Sequence, residues 1–216
     1  GMKTYVVIGM GRFGTAVATR LYELGNEVLI IDRRTDCIQH IADRVTHAVT
    51  GDATDEDVFR ALGVGNYDCA IVSIGSDLAA SILVTLNLKD LGVPAVICKA
   101  SDEGYKRALE RVGADRVVIP EREMGVKLAQ NLTSSSILDF IELSPDYGIA
   151  ELSVPADWVG KSLRELNIRA KYGVTVLAFR KEDRLNVQPG PEEPVGPGTV
   201  AIVLGSNEQL SRLQAS

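Results

Sequence analysis

The stretch that most constrains this chain is the turn Gly9-Met10-Gly11-Arg12-Phe13-Gly14 and what flanks it. The apolar run Tyr5-Val6-Val7-Ile8 leads into the turn, and an amphipathic segment running to Leu24 leaves it. A second apolar run, Val28-Leu29-Ile30-Ile31, ends in Asp32. Strand, glycine turn, helix, strand and acid in that order are the fingerprint of a dinucleotide-binding βαβ unit. Gly9 would permit the tight turn, Gly11 would let backbone N–H groups approach phosphate, and Gly14 would let the helix pack against its strand. The helix N-terminus adds orphan donors and partial positive charge, and Asp32 would accept from a ribose hydroxyl. A lone glycine motif is weak; the two strands and Asp32 make it an expectation of adenine-nucleotide binding. That is a ligand class and not yet a function.

The rest of the chain continues the alternation. The basic pair Arg33-Arg34 could approach a 2′-phosphate or be solvated surface, and Asp32 would repel such a phosphate, which disfavours NADP. A helix to about Asp43 precedes a short strand, His47–Thr50. Gly51-Asp52-Ala53-Thr54 follows, with Asp57 three residues beyond Thr54 in the manner of a capping box. The next strand, Cys69–Ile74, is nearly continuous in apolar character, as a strand covered on both faces should be. It ends at Gly75-Ser76, where small residues leave room for a nucleotide. A helix from Leu78 to Leu91, a strand Pro94–Cys98, a helix capped by Ser101 and ending at Gly113, and a strand Val117–Ile119 complete the pattern. Six strands alternating with helices predict a Rossmann-like, doubly wound parallel α/β sheet.

Beyond that point the pattern changes. Glu121 to Leu132 reads as a helix and Thr133-Ser134-Ser135-Ser136 as a polar interruption. Short strands follow at Phe140–Leu143, Ile149–Val154, Val174–Phe179, Leu185–Val187 and Val200–Leu204, with helices near Leu163–Leu166 and Glu208–Leu213. Pro189 to Gly198, with four prolines and three glycines, reads as a turn or exposed loop. The expected division is a nucleotide-binding domain over 2–133, a linker over 134–139 and a smaller α+β domain over 140–216. The second domain alone would bury a marginal core, which points to an oligomeric partner.

Composition narrows the function. The 216 residues are 45% apolar and 24% charged, ordinary for a globular protein. A net charge of −6 argues against a nucleic-acid partner, which usually meets a basic face. No apolar run approaches the roughly 20 residues that span a bilayer, and no signal-peptide pattern precedes the first strand. Cys37, Cys69 and Cys98 lack C-x-x-C spacing, and His40 and His47 stand without ligand-spaced partners. Gly160-Lys161-Ser162 imitates the end of a P-loop, but the glycine required five residues earlier is Pro155. The final stretch from Phe140 contains no His or Cys, which counts against a dehydrogenase, although Lys or Tyr serves as the acid in some reductases.

GMGRFG, the strand ending at Asp32, THAVTGDATDE, VSIG, GADRVVIPEREMGVKLA and LNIRAKYGVTVLAF together resemble the RCK (regulator of K⁺ conductance) family, and within it the Ktr/Trk-type potassium-uptake regulatory subunits. The likeness runs from Lys3 to Leu213. It implies a nucleotide-sensing subunit without catalysis, cytoplasmic, assembled as dimers into a ring (commonly an octamer) beneath a membrane potassium-translocating subunit. Gly9, Met10, Gly11, Arg12, Phe13, Gly14, Asp32 and Arg33 fall on or beside the family's nucleotide fingerprint, and Asp52, Ala53, Ile74 and Gly75 on its adenine-side loops. The resemblance places Arg12 and Glu121 near the terminal phosphate of ATP or its cation, Mg²⁺ or another, with Glu121 acting across a subunit interface. On the residues alone, Arg12 is otherwise a solvent-facing helix residue and Glu121 a first-turn acid. The resemblance also implies cyclic di-AMP between two subunits at Asn167, Ile168, Arg169 and Ala170, with Ile168 and Ala170 as an apolar floor. A Gly-Asp turn common before the last strand is Gly198-Thr199 here. The alternative reading is a small NAD-dependent oxidoreductase or a redox sensor binding NAD or NADH.

Overall fold

A computed structural model describes residues 1–133 and 137–214. The chain divides into two compact units, Gly1–Glu123 and Met124–Ser216. The predicted polar linker, 134–136 of it, lies outside the described residues.

In the first unit the strands are β1 (Thr4–Ile8), β2 (Glu27–Asp32), β3 (His47–Thr50), β4 (Cys69–Val72), β5 (Ala95–Lys99) and β6 (Arg116–Val118). They form one sheet in the order β3-β2-β1-β4-β5-β6, every neighbouring pair parallel. The helices are α1 (Arg12–Glu23), α2 (Thr35–Ile41), α3 (Glu56–Ala61), α4 (Leu78–Asp90) and α5 (Glu103–Arg111). Alternate residues of each strand face opposite sides, and both sides are covered. Val7, Val28, Ile30 and Ile71 pack with Ala18 of α1 and Ile38 and Ile41 of α2. Val6, Ile8, Leu29, Ile31 and Val72 pack with Phe59 of α3, Val84 and Leu88 of α4 and Leu109 of α5. Each such fully buried side chain contributes roughly 1.5–3 kcal/mol. Burial on both faces is why the strands read as unbroken apolar runs. The strand order reverses between β1 and β4, so a crevice opens at their carboxyl ends, where ligands bind in open α/β sheets.

The caps differ from the sequence reading by one residue each. At α3 the cap is Asp55, which accepts from Asp57 N–H at 3.0 Å; Thr54 instead donates to Asp52 and closes a separate turn. At α5 the cap is Asp102 rather than Ser101, accepting from Tyr105 N–H at 2.8 Å. The strand read as Cys69–Ile74 ends at Val72, so Ser73 and Ile74 belong to the crevice. Pro120 does not merely end β6; it is the first residue of α6 (Pro120–Thr133), where its missing N–H costs nothing.

In the second unit β7 (Ile137–Glu142), β8 (Tyr147–Ser153), β9 (Thr175–Lys181), β10 (Arg184–Asn186) and β11 (Val200–Ser206) form an antiparallel sheet in the order β10-β9-β11-β8-β7. β7 starts inside the segment 134–139 expected as linker. One face of the sheet carries Ala150, Leu152, Ala201 and Val203 against Trp158 and Ile168, and against Leu210 and Leu213 of α9 (Asn207–Gln214). Between β8 and β9 lie α7 (Leu163–Leu166), capped by Ser162, and α8 (Ile168–Tyr172), a helix the sequence reading missed. Asn167 separates the two in a left-handed conformation that Asn tolerates. The proline-rich segment is not wholly exposed: Val195 is buried, accepting from Gly160 N–H and donating to Lys161 C=O, both at 2.8 Å. At Gly198-Thr199 the Thr199 hydroxyl donates to Gly196 C=O at 2.7 Å and closes the turn.

Candidate functional site

The crevice is a cavity of about 490 Å³, within the roughly 300–1,000 Å³ usual for small-molecule sites. Its floor is the glycine turn. Gly9 has φ +99°, and a Cβ there would lie 2.0 Å from Ser73 C=O, so only glycine lets β1 and β4 end side by side. A Cβ on Gly14 would lie 2.2 Å from Gly9 C=O, which is how closely α1 sits on the turn. Gly11 caps α1 without any side-chain acceptor, leaving the first-turn N–H groups without an intrahelical partner.

Asp32 ends β2 beside this turn. Its Oδ2 accepts from Met10 N–H at 2.7 Å and its Oδ1 from Arg34 N–H at 2.8 Å. The acid thus fixes both the turn and the start of α2 while facing the cavity. Gly51, Asp52, Ala53 and Thr54 form the adjoining wall after β3. Asp52 accepts from Thr54 through both its N–H (3.0 Å) and its hydroxyl (2.7 Å), and these bonds, with Arg33 nearby, hold its carboxyl below the ordinary 3.8. Ser73, Ile74, Gly75, Asp77 and Ala80 form the wall after β4, with Asp77 capping α4 through Ala80 N–H at 3.0 Å.

Of the residues singled out in the sequence, Gly9, Met10, Gly11, Asp32, Arg33, Asp52, Ala53, Ile74 and Gly75 line this cavity. Gly14 shapes it from behind. Phe13 packs in the apolar layer under α1. Arg12 lines a shallower outer groove with Thr15, Ala16, Thr19 and Arg44. Glu121 is exposed at the start of α6, with Oε1 3.9 Å from Lys99 Nζ. Lys99 lines the cavity without having been expected there, and Arg34, read from the sequence only as half of a basic pair that could approach a 2′-phosphate or be solvated surface, lines it too. Lys99 did carry a signal: it is a charge at the carboxyl end of the buried strand Ala95-Val96-Ile97-Cys98.

No cluster of three or more His, Cys, Asp or Glu side chains suited to a metal occurs among the described residues. Glu121 therefore fits a cation only when other oxygens, such as nucleotide phosphates, complete its shell. Cys69 and Cys98 are buried, and burial raises both thiols above their ordinary value. In the second unit Asn167, Arg169 and Ala170 lie at the surface. Ile168 is 4% exposed and committed to the core, so it has no floor to offer a ligand.

A doubly wound sheet with a nucleotide-sized cavity at its switch point, followed by a small antiparallel unit, defines a two-domain Rossmann-type protein. The TrkA-N domain family matches residues 5–120 and the TrkA-C domain family residues 149–216. The chain belongs to this family, the RCK family. It is 38% identical over 212 residues to Ktr system potassium uptake protein A of Bacillus subtilis (strain 168), covering 98% of this chain and 96% of that protein. It is 39% identical, at the same coverage, to Ktr system potassium uptake protein C of that organism, and 34% identical to the protein A of Vibrio alginolyticus, again over 98% and 96%. Among solved structures, the GsuK RCK domain superposes with a TM-score of 0.69 at 20% identity, over 100% of this chain and 47% of that one. The GsuK channel bound to NAD gives 0.69 at 20% identity, over 99% and 39%. No described helix is long and apolar enough to cross a membrane.

Proposed function

We propose that this chain is the nucleotide-sensing regulatory subunit of a potassium uptake system, cytoplasmic and docked on a membrane potassium-translocating partner. It binds ATP or ADP in the cavity between β1 and β4 and passes the difference in bound shape to the pore. The observation that carries this reading is Asp32 held at the cavity wall beside a capless α1 N-terminus, in a chain whose Ktr relatives match it end to end. Lys99 supplies positive charge in the cavity for a terminal phosphate, while Glu121, exposed at the start of α6, acts across a subunit interface on the cation of an adjacent copy's nucleotide. Arg12, outside its own cavity, reaches a third phosphate by rotating inward or by serving an adjacent copy.

Self-assembly belongs to the same proposal. Met124, Leu128 and Leu132 stand four residues apart on one stripe of α6 and are 64%, 57% and 76% exposed. Such a stripe suits burial against a second copy. Cyclic di-AMP bound at a two-fold axis near Arg169 follows from the resemblance, since a symmetric ligand suits an isologous site.

The second reading, an NAD-dependent oxidoreductase or redox sensor, draws on the NAD-bound channel that shares the fold. The cavity lining includes no His, Cys or Tyr but does include Lys99, the one residue there of a type that serves as the acid in some reductases. Calorimetry with ATP, ADP, NAD, NADH and cyclic di-AMP, beside a turnover assay, tests the proposal. Tight ATP and ADP binding without turnover is expected; a clear preference for NADH, or turnover, would replace it.

A further inference from the structure

Asp32 meets three donors of its own chain. Met10 N–H reaches Oδ2 at 2.7 Å, while Arg34 N–H and Arg34 Nε–H reach Oδ1 at 2.8 and 3.3 Å. The Asp32 side chain is 9% exposed and that of Arg34 60%, so the guanidinium borders the acid from the solvent side. An ionised carboxylate offers about four lone-pair sites, two on each oxygen. The backbone donors take one on each oxygen and are fixed there, Met10 by the glycine turn and Arg34 N–H by the start of α2. The two sites left over are the pair that both hydroxyls of a ribose diol would need. Arg34 Nε already holds one of them.

We infer that Arg34 is a specificity-determining residue of the cavity: it keeps Oδ1 filled and leaves Asp32 a single acceptor site, on Oδ2, for one ribose hydroxyl. The inference rests on the nucleotide reading above and adds to it a ribose preference. The chain grips one of the two vicinal hydroxyls through its acid and is indifferent to the other. Arg33 also lines the cavity, where its charge helps hold the Asp52 carboxyl below its ordinary value. Replacing Arg34 by alanine removes only the Nε donor; both backbone donors to Asp32 stay.

The test is calorimetric titration of the full chain with ADP, 2′-deoxy-ADP and 3′-deoxy-ADP, unmutated and as Arg34→Ala. In the unmutated protein one deoxy analogue should bind within about twofold of ADP and the other about tenfold more weakly, the loss of one charge-assisted hydrogen bond. In Arg34→Ala both analogues should fall about tenfold below ADP, because the acid then reaches both hydroxyls. Equal weakening of both analogues in the unmutated protein would overturn the inference, as would no weakening of either, or an asymmetry that persists in Arg34→Ala. Should Arg34→Ala not fold, Arg34→Met, which keeps the apolar stem and removes the Nε donor, takes its place with the same expected and overturning results. If ADP itself fails to bind, the nucleotide reading falls and takes the inference with it, an outcome distinct from the others.

Discussion

Individual residues in this chain divide into those that make the cavity and those that discriminate what enters it. Gly9 makes it. Gly9→Ala would put a methyl 2.0 Å from Ser73 C=O at a φ of +99°, and should cost at least about 3 kcal/mol, read as a collapse of the melting temperature. Lys99 and Arg12 discriminate. Lys99→Met should weaken ATP about tenfold while sparing ADP more, the loss of one charge-assisted phosphate contact. Arg12→Ala should likewise weaken ATP more than ADP, Asp32→Ala both alike, and Glu121→Ala should reduce the dependence of ATP binding on added cation. Equal losses for ATP and ADP in Lys99→Met and Arg12→Ala, measured by calorimetry, would remove the phosphate roles. The glycines and Asp32 were legible because they fall at recognisable places in one βαβ unit, the turn after its first strand and the end of its second. Lys99 was not legible as a site residue, and Arg34 only as half of a basic pair of undecided role, because a sheet is what brings β5 and the start of α2 to one crevice.

At the scale of elements, the parallel strands were readable because burial on two faces leaves few polar positions. Helix starts were readable only to within one residue. In Asp52-Ala53-Thr54-Asp55 and Ser101-Asp102 each candidate cap has a rival beside it, and which one wins depends on where the preceding turn ends. The missed α8 has five residues and follows a left-handed Asn167, so no helical period could build up. One long-range fastening has a measurable consequence. Asp115 accepts from Val96 N–H at 2.7 Å and Lys89 Nζ at 2.9 Å, tying the start of β5 and the end of α4 to the entry of β6. Partial burial would raise its carboxyl, but these bonds outweigh it and hold it below 3.8. Its stabilisation is therefore complete above the ordinary value and is lost as pH falls through the depressed one. Asp115→Ala should lower stability by about 1 kcal/mol at pH 7, a figure discounted for its exposure. The gap from the unmutated protein, followed by urea midpoints, should close in strong acid.

Across the whole molecule, the single chain leaves apolar surface that another copy would cover. Leu128→Glu should shift the protein toward monomer in light scattering at micromolar concentration, and an unmutated protein that is monomeric with nucleotide present would refute assembly. Arg169→Ala should abolish cyclic di-AMP binding without altering ATP affinity, since it lies in the other compact unit; unaltered cyclic di-AMP titrations would remove that site from the proposal. The gap at Gly9 also has a historical side. The same missing methyl that lets β1 and β4 end together also opens the crevice, so a lineage carrying this architecture cannot close the crevice by mutation at that codon and still fold. Arg34, by contrast, stands at the rim with its side chain mostly in solvent, where replacement leaves the scaffold intact. Descendants of such a chain would inherit the pocket as a fixed trait and be able to retune its chemical taste one rim codon at a time.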